Sequence, residues 1–206
     1  MKVGIIDYGM GNLFSVASAL ETIGADIKIC QNPETLKEVD KIILPGVGAF
    51  KDCIDTLTQS GFKEALNIEV LKAGKPIYGI CLGMQIMARG STEFGSHKGL
   101  GWIEGDVVPM RPKSDALRVP HVGWNDVKYK PDSYLFSDLP NSPDFYFVHS
   151  FHLQCDYSHD VESTCDYGGK VTAAIKKDNI FATQFHPEKS QDYGLKMLAN
   201  FLSWKP

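Results

Sequence analysis

Apolar runs alternate with segments of helical spacing through residues 1–90, and this alternation constrains the fold more than any other feature. Residues 2–7 form the first apolar run, and Asn12 follows as the predicted N-cap of a helix. In that helix, apolar residues recur at Leu13, Val16, Ala17, Leu20 and Ile23. Further strand-like runs cover residues 25–30, 40–44 and 76–80, and predicted helices cover about residues 49–74, with a break near 60–61, and 82–88. Strands that alternate with helices predict a parallel sheet with helices on both faces.

The second half of the chain has a different pattern. Between residues 99 and 182 the strand-like segments are short and are separated by Gly, Pro, Asn and Asp, which predicts antiparallel strands added to the edge of the sheet. Residues 180–185 again form a buried-type strand, and residues 193–201 form a closing helix. We find no repeat, linker or low-complexity tract. The sequence therefore predicts one α/β domain over residues 1–206, with a mostly parallel central sheet and antiparallel edge strands.

Composition and charge exclude several classes of function. The 206 residues carry a net charge of −4 without any run of Lys or Arg, which gives no support for binding nucleic acid or an anionic membrane. No apolar stretch approaches the roughly 18 residues of a membrane span, and the N-terminal run indicates a first strand rather than a signal peptide. The five cysteines are scattered and form no C-x-x-C pair, which favours a reduced, cytoplasmic setting over disulfides or a zinc site.

One cysteine lies in a context that indicates chemistry. Residues 79–83 form G-x-C-x-G around Cys81, at the predicted junction of a buried strand and a helix. Such an elbow places a nucleophile on a sharp turn, and its glycines let neighbouring backbone pass closely. The thiol then lies at a helix N-terminus, which favours thiolate, and the N–H of Leu82 can donate to an oxyanion. A free cysteine is most often a core residue, but this context with a suitable downstream histidine indicates a nucleophile.

That histidine is His186, which ends an apolar strand and is followed two residues later by Glu188. The carboxyl ends of parallel strands are where active sites of open α/β folds gather, so His186 is predicted to lie near Cys81. In extended chain Glu188 returns to the same face, where its carboxylate can orient the imidazole and stabilise its charged form. The other histidines lack this combination; they are His97, His121, His149, His152 and His159.

A second glycine-rich turn covers residues 45–50, with the sequence P-G-V-G-A-F. Taken alone it predicts an ordinary turn between a strand and a helix, and no G-K-[ST] follows to indicate a phosphate loop. Placed beside the elbow, it can supply a second backbone N–H to an oxyanion, around Gly46 and Val47.

The segments P-G-V-G, G-I-C-L-G-M-Q and H-P-E-K, in this order, resemble the class I (triad-type) glutamine amidotransferases over essentially the whole chain. The resemblance implies that family's α/β fold and hydrolysis of glutamine, with Cys81 as nucleophile, His186 as acid–base and Glu188 as its orienter. No metal or organic cofactor is implied. The implied glutamine-binding residues are Gly83, Gln85, His149, Ser150 and Phe151.

Three more segments, residues 6–13, 119–125 and 146–151, are similar to the glutaminase subunit of imidazole glycerol phosphate synthase. In that family the partner is a (β/α)8-barrel cyclase that receives ammonia in histidine biosynthesis, so the resemblance implies a heterodimer with such a cyclase. The positions that match the family's contacts with the barrel are Trp124, Tyr146 and Lys189.

Three alternatives remain open at this stage. A paralogous glutaminase that supplies ammonia for amidation of a surface sugar would carry the same catalytic residues, and residues 149–152, H-S-F-H, depart from the His-Ser-Tyr common in the family. A stand-alone γ-glutamyl hydrolase shares the elbow and the His-Pro-Glu segment, but the motifs around Trp124 and Tyr146 and the missing secretion signal argue against it. The intact set of Cys81, His186 and Glu188 argues against a binding protein with a relic site.

Overall fold

The computed structural model describes all residues, 1–206, and its first half follows the predicted alternation of strands and helices. A π-helical turn, Asn67–Lys72, continues the third helix. The elements of this half are β1 (Lys2–Ile6), α1 (Leu13–Thr22), β2 (Asp26–Cys30), β3 (Lys41–Gly46), α2 (Phe50–Gln59), α3 (Phe62–Leu66), β4 (Ile77–Cys81) and α4 (Leu82–Gln85).

The second half consists mainly of strands and ends in a helix, as expected. Its elements are β5 (Ala88–Ser91), β6 (His97–Lys98), β7 (Ile103–Pro109), β8 (His121–Asp126), β9 (Lys128–Tyr129), β10 (Asp144–His149), β11 (Phe151–Cys155), β12 (Val161–Asp166), β13 (Lys170–Lys177), β14 (Ile180–Thr183) and α5 (Gln191–Ser203).

The central sheet has eight strands in the order β2-β1-β3-β4-β14-β13-β12-β9. The strands from β2 to β14 in this order are parallel, and the last three continue the sheet in antiparallel pairing. This confirms the predicted α/β fold with antiparallel strands at one edge. Gly46 pairs with Cys81, and Ile80 pairs with Thr183. The glycine-rich turn, the elbow and the segment that leads to His186 therefore meet at the carboxyl edge of the sheet, where ligands bind in open α/β folds.

Helices cover both faces of the sheet because successive residues of its buried strands point to opposite sides. On β4, Ile77 joins the core beneath α2 and α3, which includes Phe50. The next residue, Tyr78, joins the core on the other face and packs edge-on against Phe201 of α5, with ring centroids 5.3 Å apart. Each such large apolar side chain contributes about 1.5–3 kcal/mol when fully buried. The strand that carries Cys81 is thus held from both faces.

Two small sheets lie outside the central one, in the orders β11-β7-β5-β6 and β10-β8. The strands between residues 99 and 182 were predicted to extend the edge of the central sheet, and for β7, β8, β10 and β11 that prediction is wrong. The other two strands of the small sheets, β5 and β6, precede that range and were not predicted. Within the four-stranded sheet, β5 and β7 are also parallel rather than antiparallel. Alternation of apolar and polar residues indicates which face of a strand is buried, but it carries no information about which strand is its neighbour.

The helix after Cys81 is shorter than predicted, because α4 ends at Gln85 and β5 begins at Ala88. The carbonyl of Met87 accepts hydrogen bonds from the N–H groups of Trp102 and Ile103, at 2.9 and 3.0 Å. These long-range bonds take the place of further helical bonds. The helical propensity of residues 86–88 is overridden by tertiary pairing.

The helices are short and their ends are locally specified. Asn12 is the N-cap of α1, as predicted, and its side chain accepts a hydrogen bond from the N–H of Ser15 at 3.3 Å. Gly24 follows α1 with φ +76°, a conformation that glycine adopts without steric cost. None of the helices combines the length and the apolar character that crossing a membrane requires.

Candidate active site

Cys81 lies at the junction of β4 and α4 in a strained backbone conformation, with φ +55° and ψ −108°. A non-glycine residue held in such a region costs about 1–3 kcal/mol, and strain of this kind clusters at functional sites. The two flanking glycines permit the sharp turn. A Cβ on Gly79 would lie 2.8 Å from the carbonyl oxygen of Gly83, and a Cβ on Gly83 would lie 2.0 Å from the carbonyl oxygen of Leu44.

A cavity of about 430 Å³ opens beside the elbow. Gly46 and Gly83, which were predicted to contact the substrate, do not line it; a Cβ on Gly46 would meet the backbone N of Gly83 at 2.8 Å, so the two glycines pack against each other. The sequence-predicted residues that do line the cavity are Val47, Cys81, Leu82, Gln85, His149, Ser150, Phe151, His186 and Lys189.

His186 and Glu188 form a buried pair. The Nδ1–H of His186 donates to Oε1 of Glu188 at 2.7 Å, and the two side chains are only 3% and 1% exposed. The other ring nitrogen, Nε2, is buried and has no hydrogen-bond partner. Burial opposes a charge on the ring, but the contacts with the thiol of Cys81 and the carboxylate of Glu188 outweigh burial and raise the pKa of His186 to about 10. The imidazole can therefore hold a proton beside Cys81.

The side chains of Gln85 and Gln184 form a chain of hydrogen bonds from the backbone of Phe151, which lines the cavity, to Cys81. Nε2 of Gln85 donates to the carbonyl of Phe151 and to Oε1 of Gln184, at 2.9 Å each. Nε2 of Gln184 in turn donates to Sγ of Cys81 at 3.6 Å. Gln184 has no exposed surface. The sulfur is therefore held by a buried amide as well as approached by an imidazole.

Two further histidines, His121 and His149, form a hydrogen-bonded pair of which His149 lines the cavity. Nδ1–H of His149 donates to the carbonyl of Phe151 at 2.8 Å, so Nε2 of the neutral ring accepts, and it accepts from Nδ1–H of His121 at 3.1 Å. Burial lowers the pKa of His149 to about 3 and that of His121 to about 4. Both rings are thus neutral at physiological pH, in tautomers determined by their partners.

The glycine-rich turn before α2 is fixed at both ends and free in the middle. The hydroxyl of Tyr8 donates to the carbonyl of Pro45 at 2.9 Å, and the N–H of Phe50 donates to Oε2 of Glu93 at 2.7 Å. Between these anchors, the N–H groups of Val47 and Gly48 have no acceptor within the chain. Because Val47 and Gly48 also line the cavity, free backbone donors lie next to the elbow.

The three residues that were predicted to contact a partner lie together. Trp124 on β8 pairs directly with Tyr146 on β10, with ring centroids 6.1 Å apart, and Nζ of Lys189 lies 5.9 Å from the ring centroid of Tyr146.

The same side of this two-stranded ribbon exposes Val122 and Val148, a cross-strand pair that is 55% and 37% exposed. We call this surface, made of Val122, Trp124, Tyr146 and Val148, the ribbon face. Val148 and Lys189 also line the cavity, so the ribbon face borders its opening.

Sequence reasoning missed two polar residues of this site. Glu93 lies in the turn after β5 and lines the cavity, but no motif marked it. Gln184 lies two residues before His186 in the same apolar run. The sequence could have indicated it, because a glutamine inside a buried strand requires hydrogen-bond partners. No group of three or more His, Cys, Asp or Glu side chains is arranged to hold a metal ion.

Fold and site together define a glutamine amidotransferase, and the chain belongs to the class-I glutamine amidotransferase family, whose model matches residues 4–204. The chain is 48% identical over 200 residues to the imidazole glycerol phosphate synthase subunit HisH 1 of Campylobacter jejuni (strain RM1221), with 97% of this chain and 98% of that protein covered. It is 46% identical over 216 residues to the HisH subunit of Rhizobium meliloti (strain 1021), with both chains covered completely.

Solved structures share the fold at lower sequence identity. A crystal structure of a glutamine amidotransferase superposes with a TM-score of 0.75 at 18% identity and covers 98% of this chain and 97% of its own. The PurLQS structure from Thermotoga maritima also gives a TM-score of 0.75, at 17% identity, with the same coverage. These similarities confirm the α/β fold class expected from the sequence.

Proposed function

We propose that this chain is the glutaminase subunit of imidazole glycerol phosphate synthase, a single domain over residues 1–206 that hydrolyses glutamine to glutamate and ammonia for histidine biosynthesis. The observation that carries the chemistry is the strained Cys81 elbow, which lies beside the buried His186–Glu188 pair at the edge of a cavity. The pathway is supported by the similarity of the whole chain to HisH subunits of that synthase.

The proposed mechanism begins with attack of the Cys81 thiolate on the side-chain amide carbon of glutamine. The developing oxyanion is held by the N–H of Leu82, at the start of α4, and by the free N–H of Val47 or Gly48. His186 protonates the departing ammonia, and then activates a water that hydrolyses the thioester to glutamate. Glu188 orients the imidazole and stabilises its charged form.

The cavity offers complementary groups for the rest of the glutamine molecule. Glu93 is the only carboxylate that lines it, and one of its oxygens is engaged with the N–H of Phe50. We assign its remaining oxygen to the α-ammonium group of the substrate. Gln85 uses both of its N–H bonds within the chain, so its Oε1 is available to accept from the same ammonium. The segment of His149, Ser150 and Phe151 also lines the cavity, and we assign it to the α-carboxylate.

The proposed partner is a (β/α)8-barrel cyclase subunit in a cytoplasmic heterodimer. Apolar side chains exposed as a contiguous patch mark interaction surfaces. On the ribbon face Trp124 is 45% exposed and lies next to the exposed pair of Val122 and Val148. The ribbon face borders the cavity opening, so a partner bound there would cover the site from which ammonia leaves. Lys189, which lies on Tyr146 and lines the cavity, connects the two surfaces.

The test is glutamate production by the purified chain, alone and with a barrel cyclase and its nucleotide. We expect slow hydrolysis by the isolated chain and strong acceleration in the complex, because free ammonia would be protonated and lost. Full activity without any partner would indicate a stand-alone hydrolase. Acceleration by a sugar-amidating partner, and not by the histidine-pathway cyclase, would identify the paralogue.

The nucleophile is tested separately. Cys81→Ala should abolish hydrolysis while the thermal unfolding transition is retained, and a diazo-ketone analogue of glutamine should modify Cys81 in the unmodified chain. Cys155→Ala is the matched control, because Cys155 is partly exposed and does not line the cavity. Modification of another cysteine would refute the assignment.

A further inference from the structure

Gln184 is a buried amide that faces the nucleophile without facing the substrate. It follows β14 directly, its side chain has no exposed surface, and it does not line the active-site cavity. Its backbone N–H donates to the carbonyl of Ala173 at 2.8 Å, which fixes its position at the end of the sheet. A buried amide costs free energy unless its polar atoms are paired. Both atoms of this amide have partners inside the site.

The orientation of the Gln184 amide follows from its neighbours. The atom of Gln85 that contacts the carbonyl of Phe151 must be a nitrogen, because a carbonyl oxygen only accepts. The same nitrogen lies 2.9 Å from Gln184, whose contacting atom must therefore be its oxygen, Oε1. Nε2 is the remaining atom, and it lies 3.6 Å from Sγ of Cys81. Gln184 thus presents an N–H donor, not an acceptor, to the sulfur.

We infer that Gln184 is a positioning residue for the Cys81 sulfur: its N–H directs the thiolate into the cavity and stabilises its charge, and Gln85 fixes that N–H. A hydrogen bond donated to a charged acceptor is stronger than one donated to a neutral acceptor, so the contact is strongest when the sulfur carries negative charge. Gln184 acts on Cys81 directly and also holds the cavity residue Gln85 through Oε1, so the reactivity of Cys81 is the readout specific to the sulfur. The inference rests on the proposed role of Cys81 as nucleophile and adds a residue to which no role in the reaction was assigned.

The decisive variant is Gln184→Met, which has similar volume, remains uncharged and cannot donate to sulfur. Two measurements apply to the full chain with its cyclase partner: the pH dependence of Cys81 alkylation by iodoacetamide, read by peptide mass, and kcat and KM for glutamine. We expect the alkylation profile to move to higher pH in the variant, because the hydrogen bond to the charged sulfur is lost. We also expect kcat to fall about tenfold and KM to rise by a smaller factor, because the variant releases Gln85 as well as the sulfur.

A second variant protects the test against a folding defect. Gln184→Asn keeps the amide but is one methylene shorter, so it withdraws the donor from the sulfur and should shift the alkylation midpoint in the same direction. Gln154→Met is the control, since Gln154 is an exposed glutamine on β11. Both Gln184 variants should retain a cooperative thermal transition.

The outcome separates this inference from the proposed function. An unshifted alkylation profile in two folded Gln184 variants would overturn the role of Gln184 and leave the nucleophile intact. A fall in kcat without any change in alkylation would also overturn it, because that pattern indicates a packing effect. Hydrolysis that persists in Cys81→Ala would instead overturn the proposed function.

Discussion

Nδ1 of His186 lies 2.7 Å from Oε1 of Glu188, in a pair from which solvent is almost completely excluded. The second carboxylate oxygen, Oε2, is buried and has no hydrogen-bond partner. The main electrostatic interaction of the carboxylate is therefore with the imidazole of His186, at short range and without screening by water. Electrostatic interactions of this kind are stronger in a buried site than at the surface.

The first prediction concerns this pair. His186→Ala should lower the rate of glutamine hydrolysis by several orders of magnitude, because the proton donor and acceptor is lost. Glu188→Gln should have a smaller effect, since it keeps a polar group next to Nδ1 and removes only the charge that supports imidazolium. Steady-state glutamate production in the complex with the cyclase measures both. Equal loss in the two variants would show that Glu188 does more than orient the ring.

The second prediction concerns the elbow. Gly83→Ala should destabilise the fold by about 1–3 kcal/mol or more, because the new Cβ would overlap the carbonyl oxygen of Leu44, a backbone atom that cannot rotate away. Gly74→Ala is the control: its Cβ meets nothing within 4 Å, and its cost is limited to the strain of φ +73°. Urea unfolding compares the two variants. A Gly83→Ala protein no less stable than Gly74→Ala would refute the tight packing of the elbow on β3.

The third prediction concerns the ribbon face. Trp124→Ala should weaken binding to the cyclase by about 2 kcal/mol, a dissociation constant roughly 30-fold higher, because an exposed Trp within an apolar patch is a typical hot spot. Lys189→Ala should reduce the cyclase-stimulated rate more than the rate of the isolated chain. Calorimetric titration and glutamate production measure the two effects.

Tyr157→Ala is the matched control for the ribbon face. Tyr157 is 52% exposed, lies in the turn between β11 and β12, and lines neither the cavity nor the ribbon face. This variant should bind the cyclase with the affinity of the unmodified chain, and the cyclase should stimulate its glutamine hydrolysis to the same extent. Undiminished affinity in Trp124→Ala would place the partner elsewhere.

The fourth prediction concerns pH and the pair of His121 and His149. Burial lowers the pKa of His121 to about 4 in the folded chain, against about 6.5 unfolded, so the unfolded chain binds more protons between these values. Stability should therefore fall as the pH drops from 6.5 to 4, by up to about 1.4 kcal/mol per pH unit for each such histidine. His121→Gln should reduce this slope, as measured by urea unfolding between pH 7 and 4.

Asn141→Gln serves as the comparison for the pH series, because Asn141 is exposed in the turn before β10 and carries no titratable group. Its slope should match that of the unmodified chain. If His121→Gln also leaves the slope unchanged, His121 is not held neutral by burial.

Several features could be predicted from the sequence because they depend on neighbours along the chain. The alternation of strands and helices, the Asn12 cap and the G-x-C-x-G elbow arise from local spacing and local steric requirements. The approach of His186 to Cys81 was also predictable, because parallel strands of a doubly covered sheet must end at the same edge. These predictions required only the rule that parallel strands end at the same edge, and not the order of the strands in the sheet.

Tertiary structure decided the rest, because it depends on which distant segments pair. The early end of α4 depends on bonds from Trp102 and Ile103, and the ribbon face exists because β8 pairs with β10 outside the central sheet. The donor that Gln184 presents to Cys81 depends on a chain of hydrogen bonds that begins at Phe151. By itself, the sequence determined the fold class and the place of Cys81 and His186 at one edge of the sheet, since local periodicity and steric requirements specify them. The tertiary structure decided which groups surround those residues, since hydrogen-bond partners far apart in the chain are brought together only by folding.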